Sequence, residues 1–207
     1  MKLIMIGGHT RNIGKTSVVE SIIRGLSNIQ WTAVKITQFG HGICSVNGES
    51  CGCNVNEHEY AITEEESLDS GTDTSRFLAA GARRSLWVRT KQGELFTALP
   101  SLKEEIANDD FVIIESNSLR RFIKPDLYIQ VLDQSNQDFK SSAQEFFDLS
   151  DAFVLTSNEK SADESQNTAG IDLLNREIQR NKPVFTATAA DRFINWDLID
   201  FIESRLD

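Results

Sequence analysis

Apolar and polar positions alternate along the chain in blocks whose spacing predicts strands and helices in turn. Leu3-Ile4-Met5-Ile6 is an unbroken apolar run ending at Gly7-Gly8, the mark of a strand buried on both faces. Ser17 to Leu26 places Val18, Val19, Ile22, Ile23 and Leu26 on one helical stripe, closed by Gly25 and Ser27-Asn28. Trp31 to Ile36 reads as a second strand and carries Lys35 to its C-terminal end. From Gly40 to about Ser70 the periodicity stops, and Ala61 to Ser70 reads as a short exposed strand or a loop. The pattern recovers at Asp73-Thr74-Ser75-Arg76, which leads into a helix through Ala82.

Beyond it, Ser85 to Arg89 is a strand, and Leu99 to Asn108 a helix with Pro100 near its start. Phe111 to Ile114 is a buried strand ending on Glu115, and Asp126 to Leu132 follows Pro125 as another. Phe139, Ala143, Phe146 and Phe147 predict a helix over Asp138 to Leu149. Asp151 to Thr156 is a strand leading to Ser157-Asn158, Ala169 to Arg180 a helix, Pro183 to Thr188 a strand, and Asn195 to Leu206 a closing helix. Such βα alternation implies an α/β fold, a mostly parallel sheet covered by helices on both faces. Its 207 residues fit a single domain with one loop insertion at about 40–70.

The stretch Gly8 to Ser17 joins the first strand to the first helix through a glycine-bounded loop, the layout of a phosphate-binding loop. Glycines let the backbone curl around an anion, the helix N-terminus points N–H groups at it, and Lys15 adds a charge. Gly8, Thr10, Asn12, Ile13, Gly14, Lys15, Thr16 and Ser17 are the candidate cradle for a nucleotide, with Thr16 as a magnesium ligand. Five residues separate Gly8 from Gly14, one more than in the common motif. Glu115, at the end of four large apolar residues, has the Walker B placement, suited to holding magnesium through water or orienting an attacking water; an ordinary strand-end acid is the alternative. His9 reads as a loop residue near the phosphates or as a structural one, Arg120-Arg121 as an anion grip or a surface pair, and Trp31, Trp87 and Trp196 as core or edge packing.

A net charge of −10 argues against a nucleic-acid surface, because that binding relies on many Lys and Arg. No apolar run is long enough to span a bilayer and none at the N-terminus resembles a signal peptide, so a cytoplasmic protein is expected. All three cysteines, Cys44, Cys51 and Cys53, fall in the aperiodic segment, flanked by His41 and His58. Thiolates and imidazoles on one glycine-rich loop suit zinc or another transition metal, although Cys51-Gly52-Cys53 is a tight spacing; a loop of reduced thiols without metal is the alternative.

These residues together resemble the family of molybdopterin-guanine dinucleotide biosynthesis protein B. The likeness rests on Gly14-Lys15-Thr16, Ala33-Val34-Lys35, Thr72-Asp73-Thr74-Ser75-Arg76 running to Ala80-Gly81-Ala82, and Ile113-Ile114-Glu115, over about residues 1–132. The longer loop is similar to that of dethiobiotin synthetase. The resemblance implies a homodimer that binds GTP with weak hydrolysis, with Asp73 and Arg76 facing nucleotide or partner subunit and Glu115 beside the metal; Lys15, Glu115 and Asp73 are the catalytic candidates. The base is open between GTP and ATP. Asn158 occupies a strand-end position suited to base contact, but a guanine-reading Asn-Lys-x-Asp register is missing. The expected client is a cofactor-biosynthesis enzyme or a metal-receiving protein. Two other classes fit: an ATP-dependent small-molecule ligase or kinase similar to dethiobiotin synthetase, and a nucleotide-gated metal-delivery protein.

Overall fold

The computed structural model describes residues 1–40, 59–133, 136, 138–157, 176, 180–188 and 195–206. Within them lies an eight-stranded sheet in the order β3-β4-β2-β5-β1-β6-β7-β8. Its strands are β1 (Lys2–Gly8), β2 (Trp31–Phe39), β3 (Tyr60–Glu64), β4 (Arg84–Lys91), β5 (Phe111–Glu115), β6 (Leu127–Asp133), β7 (Ala152–Ser157) and β8 (Val184–Thr188). Every neighbouring pair runs parallel except β3 on β4, so β3 is an antiparallel edge. Of the two options for Ala61 to Ser70, the strand holds for its first part.

Helices α1 (Lys15–Gly25), α2 (Asp73–Ala79), α3 (Leu95–Glu105), α4 (Ser141–Gln144) and α5 (Trp196–Leu206) complete the described elements, with short 3-10 turns at Ser118–Arg121 and Phe147–Leu149. Alternation along β1 sends Ile4 and Ile6 to one face and Leu3 and Met5 to the other. The first face packs on Val19, Ile22 and Ile23 of α1, Phe77 of α2 and Leu198 and Ile202 of α5. The second packs on Leu95, Ala98 and Leu102 of α3. Because both faces are buried, the central strands read as continuous apolar runs rather than alternating ones. Among the described residues no helix is long and apolar enough to cross a membrane.

Three expectations need correction. Helix α3 begins at Leu95, not Leu99, and Pro100 lies inside it. Burial of Leu95, Ala98 and Leu102, spaced as one helical stripe, outweighs the single N–H that proline withholds. Second, Asp138 to Leu149 forms only one α turn and a 3-10 turn. Its aromatic rings pack with His9 and Phe153 in a chain instead of lying along one stripe: Phe139 is 5.3 Å from His9 and 5.7 Å from Phe147, and Phe147 is 4.7 Å from Phe153. Third, Trp196 is 61% exposed at the start of α5, whereas Trp31 is fully buried. The helix expected over Ala169 to Arg180 falls almost wholly outside the described residues.

Candidate nucleotide-binding site

In a parallel sheet the C-terminal strand ends share one edge, and there β1 and β5 deliver the loop and Glu115; Lys35 stands at the middle of β2, which runs on to Phe39, and not at its C-terminal end as expected, yet it is in register with Glu115. A cleft of 1000 Å³ opens on that edge. Thr10, Asn12, Ile13, Gly14, Lys15, Thr16, Ser17, Lys35, Asp73, Arg76 and Glu115 all line it, so the sequence-derived site residues from separate parts of the chain converge. Gly8 lies beneath the loop.

The loop's shape has identifiable causes. A Cβ on Gly7 would sit 2.5 Å from Asn117 Oδ1, and one on Gly8 would sit 2.7 Å from Ile13 Cδ1 and 2.8 Å from Lys15 Cδ. Asn117 clamps Gly8 from below, accepting its N–H at 2.6 Å and donating its own amide to the Gly8 carbonyl. Thr156 on β7 donates its hydroxyl to the Ile13 carbonyl at 2.9 Å. Asn12 takes the left-handed region at φ 59, which asparagine tolerates, and Gly14 sits at φ 90. Gly14 offers α1 no side-chain cap, so the first-turn N–H groups are left for a ligand in the cleft.

Lys15 folds back along the loop and donates to the Thr10 carbonyl at 2.6 Å. Burial pushes its pKa down to about 8, with Lys35 and Lys140 acting in the same direction and Glu115 and Asp73 against it. An ammonium so placed gains most from an anion that restores its charge.

Beside the loop, Thr16 donates its hydroxyl to Glu115 Oε2 at 2.9 Å. Lys35 Nζ lies 2.6 Å from Glu115 Oε1 and 2.6 Å from Asp73 Oδ2. Burial works against the charge on Lys35, but these two carboxylates hold its pKa above the ordinary lysine value. Burial also opposes the Asp73 charge; hydrogen bonds from Lys35 and Thr16 and the charges of Lys35 and Arg76 outweigh it and keep the carboxyl below its usual range. Asp73 reaches the site because Thr72 caps α2, its hydroxyl accepting the Ser75 N–H at 3.1 Å. Arg76 is turned onto α1, donating to Glu20 Oε2 at 2.6 Å and Ser17 Oγ at 3.1 Å.

A hydroxyl and two carboxylates are hard oxygen donors, the set that suits magnesium. Among the described residues no group of three or more His, Cys, Asp or Glu side chains is placed to hold a metal.

Other expected residues lie elsewhere. His9 does not line the cleft: it is buried, its Nδ1 accepts the Asp133 N–H at 3.4 Å, and burial lowers its pKa. Arg120 stacks 5.9 Å from the Tyr128 ring centroid and Arg121 pairs with Glu145 at 2.5 Å, so neither lines the cleft. Cys44, Cys51, Cys53, His41, His58 and Asn158 lie outside the described residues. Sequence reasoning missed Asn117 and Lys140. Asn117 stands two residues after Glu115, a signal that would have drawn attention to it, while Lys140 has no motif around it.

No family model matches the sequence, and no curated protein matches it either. Solved structures do. HypB from Helicobacter pylori, crystallised in complex with nickel, is similar at a TM-score of 0.52 and 14% identity, covering 98% of this chain and 86% of that one. LpxK from Aquifex aeolicus, in complex with ATP, aligns at a TM-score of 0.43 and 14% identity over 92% of this chain and 72% of that one. MobB from Bacillus subtilis aligns at a TM-score of 0.42 and 17% identity over 100% of this chain and 99% of that one. The likeness to HypB concerns the fold: an α/β architecture with an eight-stranded, mostly parallel sheet.

Proposed function

We propose that this protein binds a Mg-nucleoside triphosphate, GTP or ATP, and hydrolyses it slowly while assisting assembly of molybdopterin or another metal-containing cofactor in the cytoplasm. The observation that carries the reading is the meeting of Lys15, Thr16, Asp73 and Glu115 in one cleft at the uncapped start of α1. Loop N–H groups and Lys15 neutralise the β- and γ-phosphates. Thr16 and Glu115 would hold magnesium, which when bound spreads charge from the β- and γ-oxygens. A water attacking the γ-phosphorus breaks its bond to the β–γ bridging oxygen, releasing phosphate and nucleoside diphosphate. Glu115 and Asp73 are the carboxylates available to orient that water. The homodimer, and the client in cofactor assembly, come from the family resemblance.

The test is phosphate release from Mg-GTP and Mg-ATP by the intact protein and by Glu115→Gln. Turnover lowered at least about 10²-fold with binding retained supports the reading; wild-type turnover in that variant contradicts the role given to Glu115.

A second reading is favoured by the nickel in HypB. Here nucleotide turnover gates metal delivery, and Cys44, Cys51, Cys53, His41 and His58 carry zinc or another transition metal. Metal analysis of anaerobically purified protein, with and without Cys51→Ser and Cys53→Ser, separates it from the first: metal lost in the double variant supports delivery, and no metal in either contradicts it.

A further inference from the structure

We propose that Lys140, on the connection between β6 and β7, is a phosphate-contacting residue of this cleft, supplying a cation to the condensed phosphate from outside the loop. The inference rests on the nucleotide reading above and extends it to a residue that no motif marks.

The charges around the cleft are unevenly matched. Lys35 is paired with Asp73 and Glu115, and Arg76 with Glu20. Among the described residues neither Lys140 nor Arg11 makes an ion pair within 4.0 Å, yet Lys140 lines the cleft alongside Lys15. In a chain of net charge −10, the cleft's carboxylates Asp73 and Glu115 are engaged by Lys35, which leaves Lys15, Lys140 and Arg11 along the loop side without an ion pair of their own among the described residues. Their mutual repulsion is a cost that a multiply charged anion between them removes. Consistent with this crowding, burial and then the charge of Arg11 lower the pKa of Lys140, against a smaller opposing effect of Asp138.

Its position is set by the loop itself. The Lys140 N–H donates to the His9 carbonyl at 2.9 Å, while the Thr10 hydroxyl donates to Asp138. His9, 1% exposed, packs against Phe139 in a tilted ring contact at 5.3 Å. On the other side, the Lys140 carbonyl accepts the Ala143 N–H at 2.9 Å and the Gln144 N–H at 3.1 Å. The backbone of Lys140 is therefore tied to His9 and the side chain of Asp138 to Thr10, which holds this segment against the start of the loop. Lys15 Nζ is held at the Thr10 carbonyl and the Lys140 backbone at the His9 carbonyl, so both lysines belong to the strand end of the loop, where one anion could meet them.

The experiment is titration of the full chain with Mg-tripolyphosphate and with Mg-GTP and Mg-ATP, for wild type, Lys140→Met, Lys140→Arg and the exposed control Lys124→Met, across a salt series. Expected are about tenfold weaker binding in Lys140→Met, affinity within about threefold of wild type in Lys140→Arg and Lys124→Met, and a plot of log affinity against log salt shallower by about one in the methionine variant. Wild-type affinity and salt slope in Lys140→Met overturn the proposal. So does equal loss in Lys140→Met and Lys140→Arg when both melt like wild type, since that marks a steric role rather than a charge. If wild type binds none of the three phosphates, the nucleotide reading itself fails and this inference falls with it.

Discussion

Lys35 and Glu115 are register partners on the parallel strands β2 and β5, and the ammonium of one lies 2.6 Å from the carboxylate of the other. Glu115 is only 3% exposed, so Lys35 is the cation that makes its charge tolerable at the bottom of the cleft. The same ammonium ties in Asp73 from α2. The acidic side of the site is thus assembled around Lys35 before any ligand arrives.

Removing that cation leaves a buried carboxylate without compensation. Lys35→Met is expected to cost about 2–4 kcal/mol, read as a lowered melting temperature, and Lys35→Met combined with Glu115→Gln to recover most of it. The pKa of Lys35 is raised by folding, so its stabilisation is complete below the unfolded value of 10.5 and is lost as pH climbs through the higher folded value. The melting difference between wild type and Lys35→Met should therefore be level from pH 7 to 9 and shrink above pH 10.5. A variant as stable as wild type contradicts the pairing.

Lys15 behaves in the opposite sense, its pKa lowered to about 8 in the free protein. A bound phosphate favours the charged form, so above that pH binding must take up a proton. Nucleotide affinity should fall about tenfold between pH 7 and pH 9, with proton uptake detectable by calorimetry in buffers of different ionisation enthalpy. A flat affinity over that range would show that Lys15 is already fully charged in the free site.

Asn117 holds both backbone groups of Gly8. Asn117→Ala leaves that N–H and carbonyl without their partner and should cost about 1–3 kcal/mol of stability. Nucleotide binding should weaken with it, since the loop's entry is no longer fixed. Native melting and native affinity in this variant would mean that the clamp has no part in shaping the loop.

Much of this arrangement was legible in the residues. Lys15, Thr16 and Glu115 announce themselves because a phosphate cradle needs glycines, a helix start and a strand-end acid at fixed offsets, all of which are local. Asp73 was found through the resemblance, and its tie to Lys35 was not, since two residues 38 positions apart meet only when α2 packs beside β2. Gly7, just before the loop, has a packing reason that no motif encodes: Asn117 Oδ1 and Tyr128 Oη lie 2.5 and 2.6 Å from where a Cβ would stand. Pro100 misled because proline favours a helix's first turn, whereas here the Leu95, Ala98 and Leu102 stripe decides where α3 begins. Phe139 and Phe147 have helical spacing but belong to a ring-to-ring contact chain that runs from His9 to Phe153, which no periodicity encodes.

The central claim is that the cleft at the start of α1 takes the phosphates of a nucleotide through Lys15. Calorimetric titration of the intact protein and of Lys15→Ala with Mg-GTP and Mg-ATP tests it most directly. The account predicts saturable binding of at least one nucleotide by wild type and no measurable binding by Lys15→Ala with its fold intact; unchanged affinity in the variant would contradict it.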